Sequence, residues 1–344
     1  MGIRTLFIAL MSLGMVAFWG AVDFASNAQA QEIQRPRVFV DPLSDAQKRV
    51  LDAIVWDVDP EVLNAVIKKN EGGHFLYSDE KHPELFRESI ENLGGVYVGI
   101  GTDQGYMFIG WQRPRLAFLV DYDPWVVMLH RIYFEVWKSC ADSACLLQFF
   151  EDKPNAKRYF KSDAAKQAGI HASLAREIYK GASKYIAREL KYARQMPEKN
   201  FMNDPETFEF IKKMILEGRI RTFQANLLGD RAFHAMSQAL RELGENVTTL
   251  YLSNAEQYWN YSKQFKKNML ELPVASNAIV MRTSASKPQN GDYRYSIQPF
   301  SVFRAWLEHP SCANVLRHTQ GVVVENPNHF PFTIDSKMPS NGGK

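Results

Sequence analysis

The sequence lacks the patterns that mark several common classes of enzyme and binding protein. Its 41 basic and 38 acidic residues nearly cancel, to a formal charge of +3, and so small an excess does not indicate a nucleic-acid partner. None of the eight histidines is spaced as H-x-x-x-H, and no G-x-S-x-G nucleophile motif is present. Zinc metalloprotease and serine hydrolase functions therefore have no support in the sequence.

Cysteine is scarce, with three residues in a chain of 344. Cys140 and Cys145 have a C-x4-C spacing without a neighbouring histidine or a second pair, which is poor spacing for a metal site. A disulfide could close this spacing across a helix end or a loop, and Cys312 is left over. We interpret the three residues as buried or partly paired thiols, a usage that is compatible with export.

The amino terminus has the pattern of a secretory signal. Arg4 precedes an apolar run over residues 5–22, and a polar stretch then ends in the sequence A-Q-A at 28–30, which fits the small-x-small rule for cleavage before Gln31. The run is nearly long enough to span a bilayer, so an uncleaved membrane anchor is the alternative. Both interpretations predict that the body of the protein lies outside the cytoplasm. With cleavage, the protein is expected to be periplasmic or secreted and to have no membrane span.

The rest of the chain alternates predicted strands and helices. Ser44 with Gln47 has the spacing of a capping box, and Asp59-Pro60 and Pro83 begin two more predicted helices. Later strands are predicted at 219–225, 247–252, 278–282 and, as the last, 321–325. The predicted organisation is a signal peptide at 1–30, a lead-in with cover helices at 31–93, a first half of the core at 94–138, a helical insertion of about three helices at 139–218, a second half of the core at 219–335 and a flexible tail at 336–344.

The strongest motif lies between two short apolar runs, 96–100 and 116–120, whose composition is typical of buried parallel strands. Gly99, at the end of the first run, begins the spacing G-x-G-x-x-x-G with Gly101 and Gly105, and the segment that follows the loop can be helical. Asp121 ends the second run, about 20 residues after the glycine loop, where an acidic residue accepts hydrogen bonds from ribose hydroxyls. The pattern predicts a β-loop-α-β unit that binds a nucleotide-like ligand.

The glycine spacing and the strand-final aspartate resemble the class I S-adenosylmethionine-dependent methyltransferase superfamily. The resemblance implies an α/β fold, with a Rossmann-like doubly wound, mostly parallel sheet of the methyltransferase type, N-terminal helices and a helical insertion. It also implies S-adenosylmethionine as a possible cofactor, with its methionine end over the loop and its ribose at Asp121. The cofactor-binding residues implied in this way are Gly99, Gly101, Thr102, Asp103, Gly105, Asp121, Tyr122 and Asp230.

The same resemblance gives roles to the ends of later strands. Asn226 or Asp230 would contact the adenine, and Ser253, Asn254 and Tyr258 would lie beside the transferred methyl group. The Asn-Pro-Pro-Tyr motif of many amino-directed members is absent, and no general base is identifiable. Asn254 and Tyr258 are therefore the catalytic candidates, with a polar helix cap as the alternative for Asn254.

A second interpretation takes Asp121 and Asp123 as the D-x-D pair with which glycosyltransferases hold a divalent metal and a sugar nucleotide. The preferred interpretation expects a small-molecule ligand and no metal. Predicted export conflicts with both activities, because S-adenosylmethionine and sugar nucleotides are kept in the cytoplasm.

Three hypotheses follow for the function of the chain. It is an exported protein that binds a nucleoside-like small molecule without established catalysis, an active methyltransferase, or a non-catalytic interaction module of the envelope whose protein partner is unknown. The sequence is also similar to a group of exported bacterial proteins of unknown function, a resemblance that supplies no activity.

Overall fold

The computed structural model describes residues 42–57, 74–284, 292–319, 321–324 and 332–340. The signal predicted at 1–30, nearly all of the extended lead-in and the helix predicted at Asp59-Pro60 lie outside the described residues. The described residues all belong to one structural unit.

A mixed sheet forms the centre of the described structure. Its strands are β1 (Val96–Ile100), β2 (Leu116–Asp121), β3 (Ile220–Gln224), β4 (Val247–Tyr251), β5 (Val274–Ser284), β6 (Arg294–Pro299), β7 (Val322–Val324) and β8 (Phe332–Ile334). Their order is β3-β2-β1-β4-β5-β6-β8-β7, and only β6 and β8 run against the other six. The order 3-2-1-4-5 is consistent with a Rossmann-like sheet, so the chain is an α/β protein with a mostly parallel sheet.

The central strands are buried on both faces, as their apolar runs predict. In β1 and β2, Tyr97 and Leu119 belong to one hydrophobic core, whereas Val98 and Val120 belong to the other. This alternation follows from the two-residue period of a strand, which directs successive side chains to opposite faces. Helices therefore cover both faces of the sheet.

Twelve α-helices are present in the described ranges. They are α1 (Asp45–Asp52), α2 (Arg87–Ile90), α3 (Gln104–Gln112), α4 (Pro124–Ser139), α5 (Ser143–Glu151), α6 (Lys153–Tyr159), α7 (Asp163–Gln167), α8 (Ala172–Gln195), α9 (Pro205–Leu216), α10 (Ala232–Glu242), α11 (Lys263–Glu271) and α12 (Phe300–Glu308). The predicted capping box begins α1, because Gln47 N–H donates to Ser44 Oγ (3.2 Å) and Ser44 N–H donates to Gln47 Oε1 (2.9 Å). The helix predicted from Pro83 is instead a 3₁₀ turn, Pro83–Phe86, followed by the short α2.

The helical region between β2 and β3 is divided more finely than predicted. After α4 it contains five helices, α5 to α9, rather than about three. The division has a local cause, since Asp142, Asp152 and Ser162 each accept a backbone N–H at the start of a short helix, and Gly169 follows α7 in a left-handed conformation. The three short helices have five to nine residues each, whereas α8 runs uninterrupted for 24.

The position of the last strand differs from the prediction. The strand at 322–324 is not the last, because Phe332–Ile334 follows it and inserts between β6 and β7. Strands of three residues are too short to give a recognisable alternation of apolar and polar positions.

The interpretation of the three cysteines as buried or partly paired is confirmed, and Cys312 is the residue that is buried and free. Cys140 and Cys145 form a disulfide, with 5.4 Å between their Cα atoms. The bridge joins the end of α4 to the first turn of α5, which is the helix-end geometry that the spacing allows. Within the described residues, no helix has both the length and the apolar character needed to cross a membrane.

Candidate functional site

The carboxyl ends of the parallel strands meet where the strand order reverses, between β1 and β4. A cavity of about 180 Å³ opens there, far larger than the roughly 10–15 Å³ that one water molecule needs. We call it the switch-point cavity. Its wall includes these residues singled out in the sequence: Gly101, Thr102, Asp121, Tyr122, Asp123, Asn226, Ser253, Asn254 and Tyr258.

Asp121 ends β2 and lines the switch-point cavity. Gly101 N–H donates to its Oδ2 (3.2 Å), and Asp123 N–H donates to its Oδ1 (2.9 Å). Burial raises the pKa of the Asp121 carboxyl to about 7, and the nearby charge of Asp123 adds to the increase. The carboxyl therefore links the loops after β1 and β2, and it changes its charge near neutral pH.

Glycine is needed at the three loop positions for different structural reasons. Gly101 has φ +95° and lines the cavity, where a backbone without a side chain can approach a ligand. At Gly99 an added Cβ would lie 2.2 Å from the Tyr97 hydroxyl, and at Gly105 it would lie 2.6 Å from Leu119 Cδ2. Gly99 and Gly105 thus make room for side chains of the protein, and neither belongs to the cavity wall.

Asp103 and Asp230 also lie away from the wall. Asp103 is buried, accepts hydrogen bonds from Ser78 N–H (3.1 Å) and Thr102 Oγ1 (2.9 Å), and has its pKa raised by burial to about 6. Asp230 is exposed just before α10. Of the two residues predicted to contact an adenine, only Asn226 lines the cavity.

The loop that carries Asn226 is held by a residue from the amino-terminal part of the chain. Asp57 Oδ2 accepts from Asn226 N–H (2.8 Å), and Oδ1 accepts from the N–H groups of Arg231 and Ala232 (3.3 Å each). One carboxylate thus satisfies one backbone donor in this loop and two at the start of α10.

Residues 74–80 contribute a large part of the wall that the sequence did not predict. We call them the cover segment. Phe75, Tyr77, Asp79 and Glu80 from this segment line the cavity. His74 Nδ1 lies 2.7 Å from Asp123 Oδ2. The segment has no regular secondary structure, so no hydrophobic period distinguishes it, and its only sequence signal is a neighbouring pair of acidic residues.

Glu80 fastens the cover segment to the ends of β4 and β5. Its carboxylate accepts hydrogen bonds from the hydroxyls of Tyr251 (2.5 Å), Ser253 (2.8 Å) and Thr283 (2.8 Å). Burial raises the pKa of Glu80 to about 7 despite these bonds, which favour the charged form. A carboxyl with such a pKa can accept and release a proton at neutral pH, although no general base was identifiable from sequence.

The residues after β4 also line the cavity. Ser253 has φ +48°, an unusual conformation for a residue other than glycine, and such strain is found at functional sites. Asn254 precedes a 3₁₀ turn, Ala255–Tyr258, without a side-chain capping bond. The alternative role of Asn254 as a polar cap therefore has no capping bond to support it.

The described wall combines acidic and aromatic side chains. It has four carboxyls, those of Asp79, Glu80, Asp121 and Asp123, and no lysine, arginine or histidine. Negative charge beside aromatic faces attracts cations and flat rings. The aromatic side chains of the wall are Phe75, Tyr77, Tyr122, Tyr258, Trp259 and Tyr293.

The D-x-D aspartates have protein partners. Asp123 Oδ1 accepts from Trp125 N–H (2.8 Å) as the N-cap of α4, and its Oδ2 contacts His74, while both oxygens of Asp121 accept backbone N–H groups. In the described ranges, no group of three or more His, Cys, Asp or Glu residues could hold a metal ion. A metal role for this pair stays a prediction.

The fold and the site define an α/β protein with a cavity at the switch point of a mostly parallel sheet. The chain belongs to the family described as Domain of unknown function (DUF7790), whose model matches residues 75–328. This range contains the whole described wall of the switch-point cavity, from Phe75 to Tyr293. No curated protein matches the chain.

Proposed function

We propose that this chain is an exported protein that binds a nucleoside-like small molecule in the switch-point cavity, and that its sheet is of the methyltransferase type. The observation that carries the proposal is Asp121, a strand-final carboxylate that lines the cavity and is bonded to Gly101 of the preceding loop. A ribose has two neighbouring hydroxyl donors, and an acidic residue at the end of the second strand is the usual acceptor for ribose hydroxyls in dinucleotide-binding sheets.

The composition of the wall supports S-adenosylmethionine as the first ligand to test. This molecule carries a flat purine, a ribose, a positive sulfonium and an amino-acid end with an ammonium and a carboxylate, so its net charge is positive. The acidic side chains of the wall would attract the sulfonium and the ammonium, those of Glu80 and Asp121 in their deprotonated form, and its aromatic side chains would contact the purine. Neutral nucleosides would gain only the second of these contributions.

The proposed export is supported by two features of the chain. The signal pattern at 1–30 is one of them. The other is the Cys140–Cys145 disulfide, because disulfides persist in oxidising compartments and are rare in the cytosol.

An active methyltransferase is the second candidate function. The observation that favours it is that Ser253, Asn254 and Tyr258 line the same cavity as Asp121. Glu80 in that wall could accept a proton from an acceptor molecule, and its carboxyl has a pKa of about 7. This candidate predicts release of S-adenosylhomocysteine when an acceptor is supplied, whereas a binding protein leaves the cofactor intact.

Calorimetric titration of the purified chain with S-adenosylmethionine, S-adenosylhomocysteine and adenosine tests the proposal. We expect Asp121→Ala to weaken binding by on the order of 1.5–3 kcal/mol, or about tenfold to a hundredfold, because it removes a charged acceptor. Asp230→Ala is the matched control, since Asp230 is exposed and outside the wall, and it should bind as the wild type does.

Two results would overturn the proposed ligand class. One is the absence of heat and of thermal stabilisation with all three ligands, which would leave an interaction module of the envelope as the remaining hypothesis. The other is equal affinity of the wild type and Asp121→Ala.

A further inference from the structure

A second cavity, of about 240 Å³, lies against the antiparallel pair β5–β6. We call it the hairpin cavity. It shares Ser253 and Asn254 with the switch-point cavity, so the residues after β4 form a partition between the two spaces. None of the residues that the sequence predicts to hold a cofactor lines it.

Two arginines line the hairpin cavity from neighbouring strands. In the register of β5 and β6, Arg282 is opposite Ser296, and Ser284 is opposite Arg294. Residues two apart on a strand share a face, so all four side chains lie on one face of the pair. Arg282 and Arg294 are thus diagonal neighbours across the two strands, and the backbones of such neighbours are about 7–8 Å apart.

Arg282 is almost completely buried, with 2% of its surface exposed. Its Nε donates to Glu256 Oε2, and its Nη1 donates to Gln298 Oε1 (3.0 Å). Its Nη2 is buried and has no hydrogen-bond acceptor within the described residues. A guanidinium donor buried without an acceptor is unfavourable, and an oxyanion in the adjoining cavity would supply one.

Arg294 is more accessible and also has donor capacity left. It donates from Nε and Nη2 to Thr333 Oγ1 (3.3 and 3.0 Å) and from Nη2 to Thr319 O (3.0 Å). None of the hydrogen bonds among the described residues uses its Nη1. Asp335 Oδ1 lies 3.7 Å from Nη2, beyond hydrogen-bond distance.

The acidic groups near the two arginines do not cancel their charge inside the cavity. Glu256 is the only acidic residue in the described wall, and its two oxygens accept from Tyr261 and Arg282. Asp335 forms an ion pair with Arg294, at 3.7 Å between Oδ1 and Nη2, but it does not belong to the described wall. Two cations against one carboxylate leave the wall positive.

We propose that the hairpin cavity binds the carboxylate or phosphate group of a small molecule, with Arg294 and Arg282 as its cationic partners. This ligand lies beside the occupant of the switch-point cavity and is separated from it by Ser253 and Asn254. The site stands independently of the nucleoside-like ligand, because its charge has the opposite sign and it is built from different strands.

The probes are inorganic phosphate and malonate, each titrated into the purified chain at constant ionic strength while thermal unfolding is followed. We expect at least one of them to stabilise the wild type, and Arg294→Gln to weaken that binding by about tenfold or more. Arg317→Gln is the control for a lost positive charge, because Arg317 is exposed on the neighbouring 3₁₀ turn and outside the wall. Stabilisation by phosphate alone or by malonate alone identifies the oxyanion.

Arg294 also contacts β8, so Arg294→Gln alone could act through folding. Leu316 avoids this difficulty, since its side chain is 61% exposed at the rim of the hairpin cavity. Leu316→Glu places a carboxylate there, whereas Leu316→Gln has the same shape without the charge. We expect weaker anion binding in Leu316→Glu only.

Two outcomes overturn the proposal. They are no stabilisation by either anion, and equal anion affinity in Leu316→Glu and Leu316→Gln. The result is separable from the nucleoside test, because Arg294→Gln should leave nucleoside binding unchanged and Asp121→Ala should leave anion binding unchanged.

Discussion

The switch-point cavity and the hairpin cavity adjoin each other and have opposite chemistry. The first has four carboxyls, aromatic walls and no cation among its described residues. The second has two guanidinium groups and one carboxylate. Ser253 and Asn254 belong to both walls, so these two residues form the boundary between the acidic cavity and the basic cavity.

This difference follows from the elements that build each cavity. Parallel strands end at one edge of the sheet, where loops and the cover segment bring Glu80 and Asp121 together. The hairpin cavity is instead built on the face of an antiparallel pair, where register places Arg282 and Arg294 near each other. A single sheet therefore provides two fields of opposite sign, a suitable arrangement for two ligands of opposite charge.

The largest expected effect comes from removing the charge of Arg282 from the hairpin cavity. Arg282→Met leaves Glu256 buried without its cationic partner, and we expect the free energy of unfolding to fall by about 3–5 kcal/mol. Urea unfolding measures the change. The double variant Arg282→Met/Glu256→Gln should recover much of the loss, because no buried charge is then left unpaired. A loss below about 1 kcal/mol in the single variant would contradict the buried ion pair of Arg282 with Glu256.

A smaller effect concerns the glycine loop, without any change of charge. Gly99→Ala brings a Cβ to 2.2 Å from the Tyr97 hydroxyl, and such overpacking should cost about 1–3 kcal/mol in urea unfolding. Gly181→Ala is the control, because Gly181 lies in α8 with open space around its Cβ position, and alanine there should stabilise by about 0.5–1 kcal/mol. Equal effects at the two glycines would mean that the Tyr97 side chain yields easily.

The third effect is a dependence of stability on pH, which tests the Glu80 carboxyl of the switch-point cavity. The folded-state pKa of Glu80 is raised to about 7, so the folded protein keeps a proton that the unfolded chain loses near its ordinary pKa. Stability contributed by this proton is present at acidic pH and is lost as pH rises toward 7. We expect the Tm of Glu80→Gln, measured relative to the wild type by calorimetry, to increase between pH 5 and pH 8.

The control for the pH experiment is Glu88→Gln, since Glu88 is exposed on α2. Its Tm difference from the wild type should be constant over the same range. A constant difference for Glu80→Gln as well would show that Glu80 ionises normally.

Local sequence was sufficient for the parts of the fold whose signals are local. The strands predicted at 96–100 and 116–120 and the capping box at Ser44 occur where the pattern predicts them. Asp121 reaches the cavity because strand length and parallel pairing alone bring it to the sheet edge. No tertiary information was needed for that placement.

The glycines illustrate where a local pattern becomes ambiguous. It indicates that Gly99 and Gly105 need space, but it cannot distinguish a ligand from a neighbouring side chain, and here Tyr97 and Leu119 take the space. Glu80 could not be found at all from sequence, because its partners Tyr251 and Thr283 are 171 and 203 residues away. The pairing of Arg282 with Arg294 likewise depends on a hairpin register that composition does not determine.

Asp57 and β8 have a consequence for how long an independently folding piece of this chain must be. The family match covers 75–328, and both features lie outside it. A fragment trimmed to the match would leave two amides at the start of α10, and the amide of Asn226 before it, without their acceptor. It would also lack the strand that joins β7 to β6. The stretch by which relatives are recognised is therefore shorter than the folded unit, and an expressed fragment needs to include Asp57 and Phe332–Ile334.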